Sequence, residues 1–548
     1  MNAPPPSAEL DDVEELRRRL AAAERELGHK RYLIDKLEEI IARLRHRAWG
    51  RSSERHPEQG ELTLFEEAEL IAFDAAQEQG DSGAERVGDE GETEGQKNKD
   101  EKRRRRGGRR ALPEGLERVR IVHELEGTDC QGACGSPRVE IGEEVTEQLA
   151  VVPAAHFVIQ IVRKKYACLC RECGVRTAAA PAALLAGSQA SPELVAHVAT
   201  AKYLDALPLA RQERMARREG LELPRAKLAR WLIGAAAVLR PLGNLIEDAL
   251  FEYDIIQSDD TAIQVLNEPG RAPGTRSALW IRRGGPPDRP VVVVDYRETK
   301  SAAAGKSLLE GVQKGTYLVV DAAGSFEAIA RAHDLVAVLC NDHCRRKFVE
   351  AERGKGSAAS GSIAGKAIGF YRRLYRIERE AKRLKLSASQ RHHRRQRQAV
   401  PIWKAFVAWA REVHGAGVRD RGTRMALEYL LRHEGGLRRY LEDGRLPISN
   451  IASEHVAKTI AVPRRNFLFA DTPAGASASA LYYSLIETAR ANGHEPRRYL
   501  TVVLAELPSA TGVEAIEALL PWRLTLEEVD RRYAARPKPT GATRKASA

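Results

Sequence analysis

The apolar pattern of this chain changes period at Tyr253, and that change limits its fold more than any other feature. From there short β-rich runs replace helical spacing: Tyr253 to Ser258, Ala262 to Leu266, Ser277 to Arg282 and Pro290 to Tyr296. A helix-like stretch from Ser301 to Gln313 follows, then apolar runs from Tyr317 to Val320 and from Leu335 to Cys340. Short β-branched runs bounded by Gly, Pro, Asn and Asp read as strands, and strands mixed with helices build a sheet with helical cover. The first run ends at Asp259 or Asp260, and the run at 317–320 ends at Asp321.

Three strands, a helix and further strands are the order of a ribonuclease-H-like fold. Acids at the ends of neighbouring strands can converge on one point, and two divalent ions roughly 3.5 to 4 Å apart need such hard oxygen ligands. A third carboxylate is expected from a helix beside the sheet, and Glu454, in Ser-Asn-Ile-Ala-Ser-Glu-His-Val (449–456), opens a helical stretch. Spacing alone does not select it, since the chain holds 76 Asp and Glu residues from which three can always be chosen.

At 548 residues the chain exceeds one ordinary core, and it divides by composition. In 1–72 apolar residues recur in steps of three and four, at Val13, Leu16, Leu20, Ala23, Leu27, Ile34, Leu37, Ile41 and Leu44, with Lys30 the polar member. A heptad seam of this length reads as a coiled coil and implies a homo-oligomer. Residues 73–112 read as a disordered linker whose basic end, Glu101 to Arg110, can track phosphates. In 113–188, Cys130, Cys134, Cys168, Cys170 and Cys173 form two clusters around strand-like segments such as Phe157 to Val162. Paired thiolates at that separation suit a tetrahedral Zn²⁺ ribbon held by Cys130, Cys134, Cys170 and Cys173, with Cys170 preferred to Cys168 because it completes a Cys-x-x-Cys knuckle.

A helical segment, 189–250, contains Arg211 to Arg218 and Arg225 to Ala237 joined by a Gly- and Pro-bearing turn. This resembles a helix-turn-helix whose second helix presents Arg225, Lys227 and Arg230 to DNA. The catalytic region is read in two parts, 251–350 and 446–490, around a helical insertion at 351–445, with a C-terminal segment and basic tail at 491–548. The fold class is thus multidomain α+β. A net charge of +12, from 88 Lys and Arg against 76 acids, favours a polyanionic partner over an acidic small substrate. Neither a secretory signal nor an apolar run of about 18 residues is present, which reads as a soluble cytoplasmic protein with no membrane partner.

Two motifs are set aside. Gly305-Lys306-Ser307 looks like the end of a phosphate-binding loop, but such a loop needs a glycine five positions earlier, where Lys300 stands. His343 between Cys340 and Cys344 suggests a second zinc site, yet no further ligand is evident in the sequence nearby.

Ordered phrases run nearly from end to end: Trp49-Gly50-Arg51-Ser52-Ser53-Glu54, Leu64-Phe65-Glu66-Glu67, Ile141 to Val145, Lys165 to Cys168, Lys202-Tyr203 with Pro208 to Gln212, Ser258 to Thr261, Cys340 to Phe348, Leu374 to Glu378, Asn450 to His455, Arg464 to Phe469, Ile486 to Ala489 and Leu519 to Trp522. In these the chain resembles the large TnpC-type transposases of the insertion-sequence 66 (IS66) family. The resemblance implies a DDE-type enzyme that cleaves and rejoins DNA with Mg²⁺ (or Mn²⁺) on Asp259, Asp321 and Glu454, and with Zn²⁺ on the cysteines. It implies as partners double-stranded DNA, both the terminal inverted repeats of an element and its target, and accessory transposition proteins. Arg464 and Arg465 are assigned to phosphate contact from charge and position. Ala322-Ala323, Asn341-Asp342 and His455 depart from the family phrases, and the alternative is a catalytically inactive zinc-ribbon DNA-binding or regulatory protein derived from a transposase. If the heptad seam joins chains, deleting residues 1–48 lowers the mass seen by light scattering while the rest stays folded; an unchanged mass places the seam on its own chain.

Overall fold

The computed structural model describes residues 156–167, 175–353 and 362–537. The heptad seam, the linker and Cys130, Cys134, Cys170 and Cys173 lie outside the described residues. The described residues fall into two units, which are taken separately.

In the smaller unit, β1 (Lys165–Ala167) pairs antiparallel with β2 (Val175–Thr177), Tyr166 opposite Arg176. The seven positions between them include Cys168, Cys170 and Cys173. Phe157 to Val162, expected to be strand-like, is not a strand: Val158 is 86% and Val162 77% exposed. Alternating β-branched residues supply propensity, but a strand needs backbone partners, and the three residues of β2 are all engaged by β1.

The larger unit, 179–536, is built on a five-stranded sheet. Its helices begin where capping residues stand. Ser191 accepts the N–H of Leu194 to open α1 (Pro192–Tyr203), and α2 (Leu209–Arg218) leads through a turn into α3 (Arg225–Phe251). The sequence suggested that α3 ends near Ala237. It runs on through Pro241 because Leu239, Leu242, Ile246 and Leu250 are buried along one stripe, which offsets the roughly 3 kcal/mol a proline costs inside a helix.

The strands are β3 (Ile255–Gln264), β4 (Arg276–Gly284), β5 (Val291–Arg297), β6 (Tyr317–Val320) and β7 (Val336–Leu339), in the spatial order β5-β4-β3-β6-β7. The first three are antiparallel neighbours, while β6 and β7 run parallel to β3 and to each other. Helix α4 (Ala302–Leu308) precedes β6 and α5 (Gly324–Ala332) precedes β7. The runs at 253–258 and 262–266 are one strand, so Asp259 and Asp260 sit inside β3 rather than at its end.

Alternation along β4 divides two cores. Leu279 and Ile281 join a core with α1, α3 and the C-terminal helices, whereas Ala278 and Trp280 join one with the helices that follow β7. The β5 edge is closed by α13 (Pro473–Ala491), where Ser484 and Thr488 meet the backbone of Val294 and Val292: Val294 N–H donates to Ser484 Oγ at 2.8 Å, and Thr488 Oγ1 donates to Val292 O at 2.9 Å. A free strand edge is thereby denied to other chains. Gly305 lies in α4 against Ile329 and Trp280, where a Cβ would collide with both; the glycine serves packing, not phosphate binding.

Beyond β7 come α6 (Asn341–Arg353), α7 (Ile363–Arg383), α8 (Ala388–Arg394), α9 (Val400–Gly415), α10 (Arg421–Arg432), α11 (Glu434–Arg438) and α12 (Ile451–Ala461). Phe370 stacks on Phe406 at 4.7 Å in their shared core. Arg395, fully buried in a π-helical turn, donates to Glu378 at 2.7 and 2.8 Å and to the carbonyls of Tyr440, Asp443 and Leu446 at 2.6 to 2.9 Å. It ties the chain that leads into α12. Replacing it with alanine strands one carboxylate and three carbonyls, so Arg395→Ala should destabilise this unit by about 3–5 kcal/mol. Urea unfolding followed by tryptophan fluorescence reads this, because Trp403 bonds the Tyr440 hydroxyl in the same core; a shift below about 1 kcal/mol contradicts it.

Candidate active site

The register of the sheet brings two acids side by side. In the parallel pair β3–β6, Gln257 is opposite Val319, and continuing two residues sets Asp259 against Asp321 just past the end of β6. In the antiparallel pair β3–β4, Asp259 is opposite Ile281 and Asp260 opposite Trp280, so the two neighbours face opposite sides of the sheet. Asp260 forms an ion pair with Lys300. Asp259 shares its side with α12, whose Val456 and Ile460 enter the same core as Ile281.

Glu454 stands in the first turn of α12 and is 6% exposed. A buried bond sets the helix against β3: Asn450 Nδ2 donates to the carbonyl of Ser258 at 2.9 Å, one residue before Asp259. Three groups from the end of β7 and the start of α6 surround the Glu454 carboxylate. Cys340 Sγ lies 3.8 Å and His343 Nδ1 3.4 Å from its Oε1, and Arg346 Nη2 is 3.4 Å from its Oε2. Asn341 fastens that start, its side chain donating to the carbonyls of Leu437 and Ile448 at 2.9 and 3.1 Å.

Charge is concentrated here. Burial pushes the carboxyl of Asp259 up to about 7, and the nearby charges of Glu454, Asp321 and Asp260 push the same way. The N–H of Asp260, 2.8 Å from Oδ1, opposes them without cancelling them. Burial likewise raises the Cys340 thiol. A cleft of about 320 Å³ opens beside Asp321, bordered also by His343, Arg346, Lys347, Glu350 and Tyr429.

Arg464 joins the neighbourhood from the 3₁₀ turn Pro463–Arg465, donating to Thr261 Oγ1 at 2.8 Å, two residues along β3 from Asp259. Burial lowers its pKa. Arg465 lies in the same turn. Arg225, Lys227 and Arg230 occupy the first turns of α3, the arginines exposed, with Lys227 donating to Gln189 at 2.9 Å and lying 5.1 Å from the Trp231 ring centroid. Among the described residues no hydrogen bond or ion pair joins these three to the carboxylates. Sequence reasoning did not foresee Lys300, Thr261 and Asn450, nor the placing of Cys340, His343 and Arg346 around Glu454. The Cys-x-x-His spacing was visible, but its partner lies 114 residues from Cys340.

Comparison with known families gives four matches: "Transposase IS66 family" over 187–478, "IS66 C-terminal element" over 484–522, "Transposase C of IS166 homeodomain" over 36–121 and "zinc-finger binding domain of transposase IS66" over 129–174. The last spans all five clustered cysteines and supports zinc binding there. Among curated proteins the chain is similar to two uncharacterized proteins of Sinorhizobium fredii. It is 30% identical to y4jD, with 76% of this chain and 82% of that protein covered, and 31% identical to y4qI, with 74% and 76% covered. No helix among the described residues is long and apolar enough to cross a membrane.

The Asp259 shift has a pH signature. A carboxyl held at about 7 in the folded chain and near its ordinary 3.8 when unfolded contributes stability that is complete below pH 3.8 and is lost as pH rises through 7. Without added magnesium, thermal stability measured across that window should fall more steeply for the wild type than for Asp259→Asn. Parallel curves would show that Asp259 is not held this way.

Proposed function

The chain belongs to the IS66 transposase family, and from that premise we propose that it is an active DNA transposase that cuts the ends of a mobile element and joins them to target DNA. The observation that supports this reading is the register that sets Asp259 against Asp321 on the side of the sheet where α12 carries Glu454, with burial, joined by the charges of Glu454 and Asp321, holding Asp259 at about 7. The strand order, three antiparallel strands followed by two parallel ones, supports a ribonuclease-H-like fold.

The donor set fits a divalent cation. Three carboxylates are hard oxygen ligands of the kind Mg²⁺ or Mn²⁺ takes, and would hold it with Glu454 closing the set from α12. When bound, such ions make water a better nucleophile and stabilise the charge of an in-line phosphoryl displacement. The chain's own residues do the rest. Arg346 pairs with Glu454, Asn450 ties the start of α12 to β3, and Arg464, desolvated beside Thr261, is assigned to a phosphate oxygen. Arg225, Lys227 and Arg230, exposed or half-exposed on α3, are assigned to the DNA backbone, which holds register without touching chemistry. Zinc on Cys130, Cys134, Cys170 and Cys173 organises the ribbon, and the seam at 13–44 joins copies so that two element ends are held together.

Glu454→Gln, Asp259→Asn and Asp321→Asn should each lower Mg²⁺-dependent cleavage of a labelled element end by about 10³-fold or more, since losing metal-borne stabilisation costs several kcal/mol, while mobility-shift binding persists. Asp260→Asn should be milder, because Asp260 faces the other side and pairs with Lys300. Essential Asp260 with dispensable Asp259 would reverse the assignment. A wild-type protein that binds DNA but never cleaves it would make the chain a regulatory relative.

A further inference from the structure

A Cys-x-x-His pair at the start of a helix puts one sulfur and one nitrogen on the same side of the first turn. Cys340 and His343 are such a pair, and the fold adds the Oε1 of Glu454. Their three ligand atoms all lie within 4.8 Å of one another. A tetrahedral zinc ion at about 2.3 Å from sulfur and about 2.0 Å from nitrogen and oxygen separates sulfur from oxygen by about 3.5 Å and nitrogen from oxygen by about 3.3 Å. The corresponding distances here are 3.8 and 3.4 Å, each within a few tenths of an ångström of those values.

Two further features of the geometry bear on this set. Nδ1 of His343 is buried and has no hydrogen-bond partner, although it faces a carboxylate oxygen. Cys340 Sγ receives the N–H of Asn450 at 3.2 Å and a second backbone N–H, that of His343. Cys344 takes no part, being fully buried with its thiol against the Tyr371 hydroxyl.

We propose that Cys340, His343 and Glu454 form a second Zn²⁺ site, with three protein ligands and an open fourth position, separate from the cysteines at 130–173. Sulfur and imidazole select zinc over magnesium, which prefers oxygen alone. Zinc bound there takes Oε1 of Glu454 out of the magnesium set and so inhibits strand cleavage. This consequence rests on the carboxylate reading above, whereas the site itself does not.

The test is an ion count on the full chain. Protein equilibrated with a small excess of zinc chloride is freed of unbound metal by gel filtration, and zinc per chain is measured by plasma mass spectrometry. Cys340→Ser and His343→Ala should each carry one ion fewer than wild type, and Cys344→Ser the same number. Equal zinc in wild type and both variants overturns the site, as does a lost ion in Cys344→Ser. His343 is partly exposed, so its alanine variant decides the matter even if Cys340→Ser does not fold. In a magnesium-supported cleavage assay, the zinc concentration that halves the rate should rise at least about tenfold in His343→Ala. Unchanged zinc sensitivity overturns the inhibition, and a wild type that never cleaves sinks the proposed activity while leaving the ion count to decide the site.

Discussion

A carboxylate withdrawn from water stays ionised only where positive charge or enough N–H donors meet it. Asp259 has one N–H, from Asp260, and three acids bearing on it. Folding alone would not favour that arrangement; an apolar residue at 259 would pack beside Ile281 at lower cost. Backbone register and helix anchoring oppose the repulsion among these acids.

Two devices hold them. The sheet fixes Asp259 and Asp321 through backbone register, which side-chain repulsion cannot change without breaking ladder hydrogen bonds. Glu454 comes from a separate helix and needs its own anchors. Asn450 joins the helix start to Ser258, and Asn341 joins the preceding segment to α6. Further back, Arg395 gathers the carbonyls of Tyr440, Asp443 and Leu446. The helices described between β7 and α12 share a core with the sheet and lead the chain into the helix that carries Glu454.

The cations near the acids are graded by burial. Arg346 is engaged with Glu454, while Arg464 is bonded only to a neutral hydroxyl among its described hydrogen bonds and is partly desolvated. On α3, Arg225 and Arg230 are exposed, while Lys227 is engaged by Gln189 and the Trp231 ring.

Periodicity and turn residues by themselves determined that strands begin near Tyr253, that an acid follows the run at 317–320 and that a helix opens before Glu454. Local pattern reports local structure, because alternation and capping act within a few residues. Choosing Asp259, Asp321 and Glu454 from 76 acids took a family resemblance, since spacing carries no information about which distant residues meet. The tertiary structure decided the rest. It joined two expected runs into one strand, placing Asp259 within it, turned Asp260 to Lys300, removed the strand expected at 157–162, extended α3 past Pro241 and drew Cys340 and His343 to Glu454. Each of these depends on a partner far along the chain, and only burial and register select such partners.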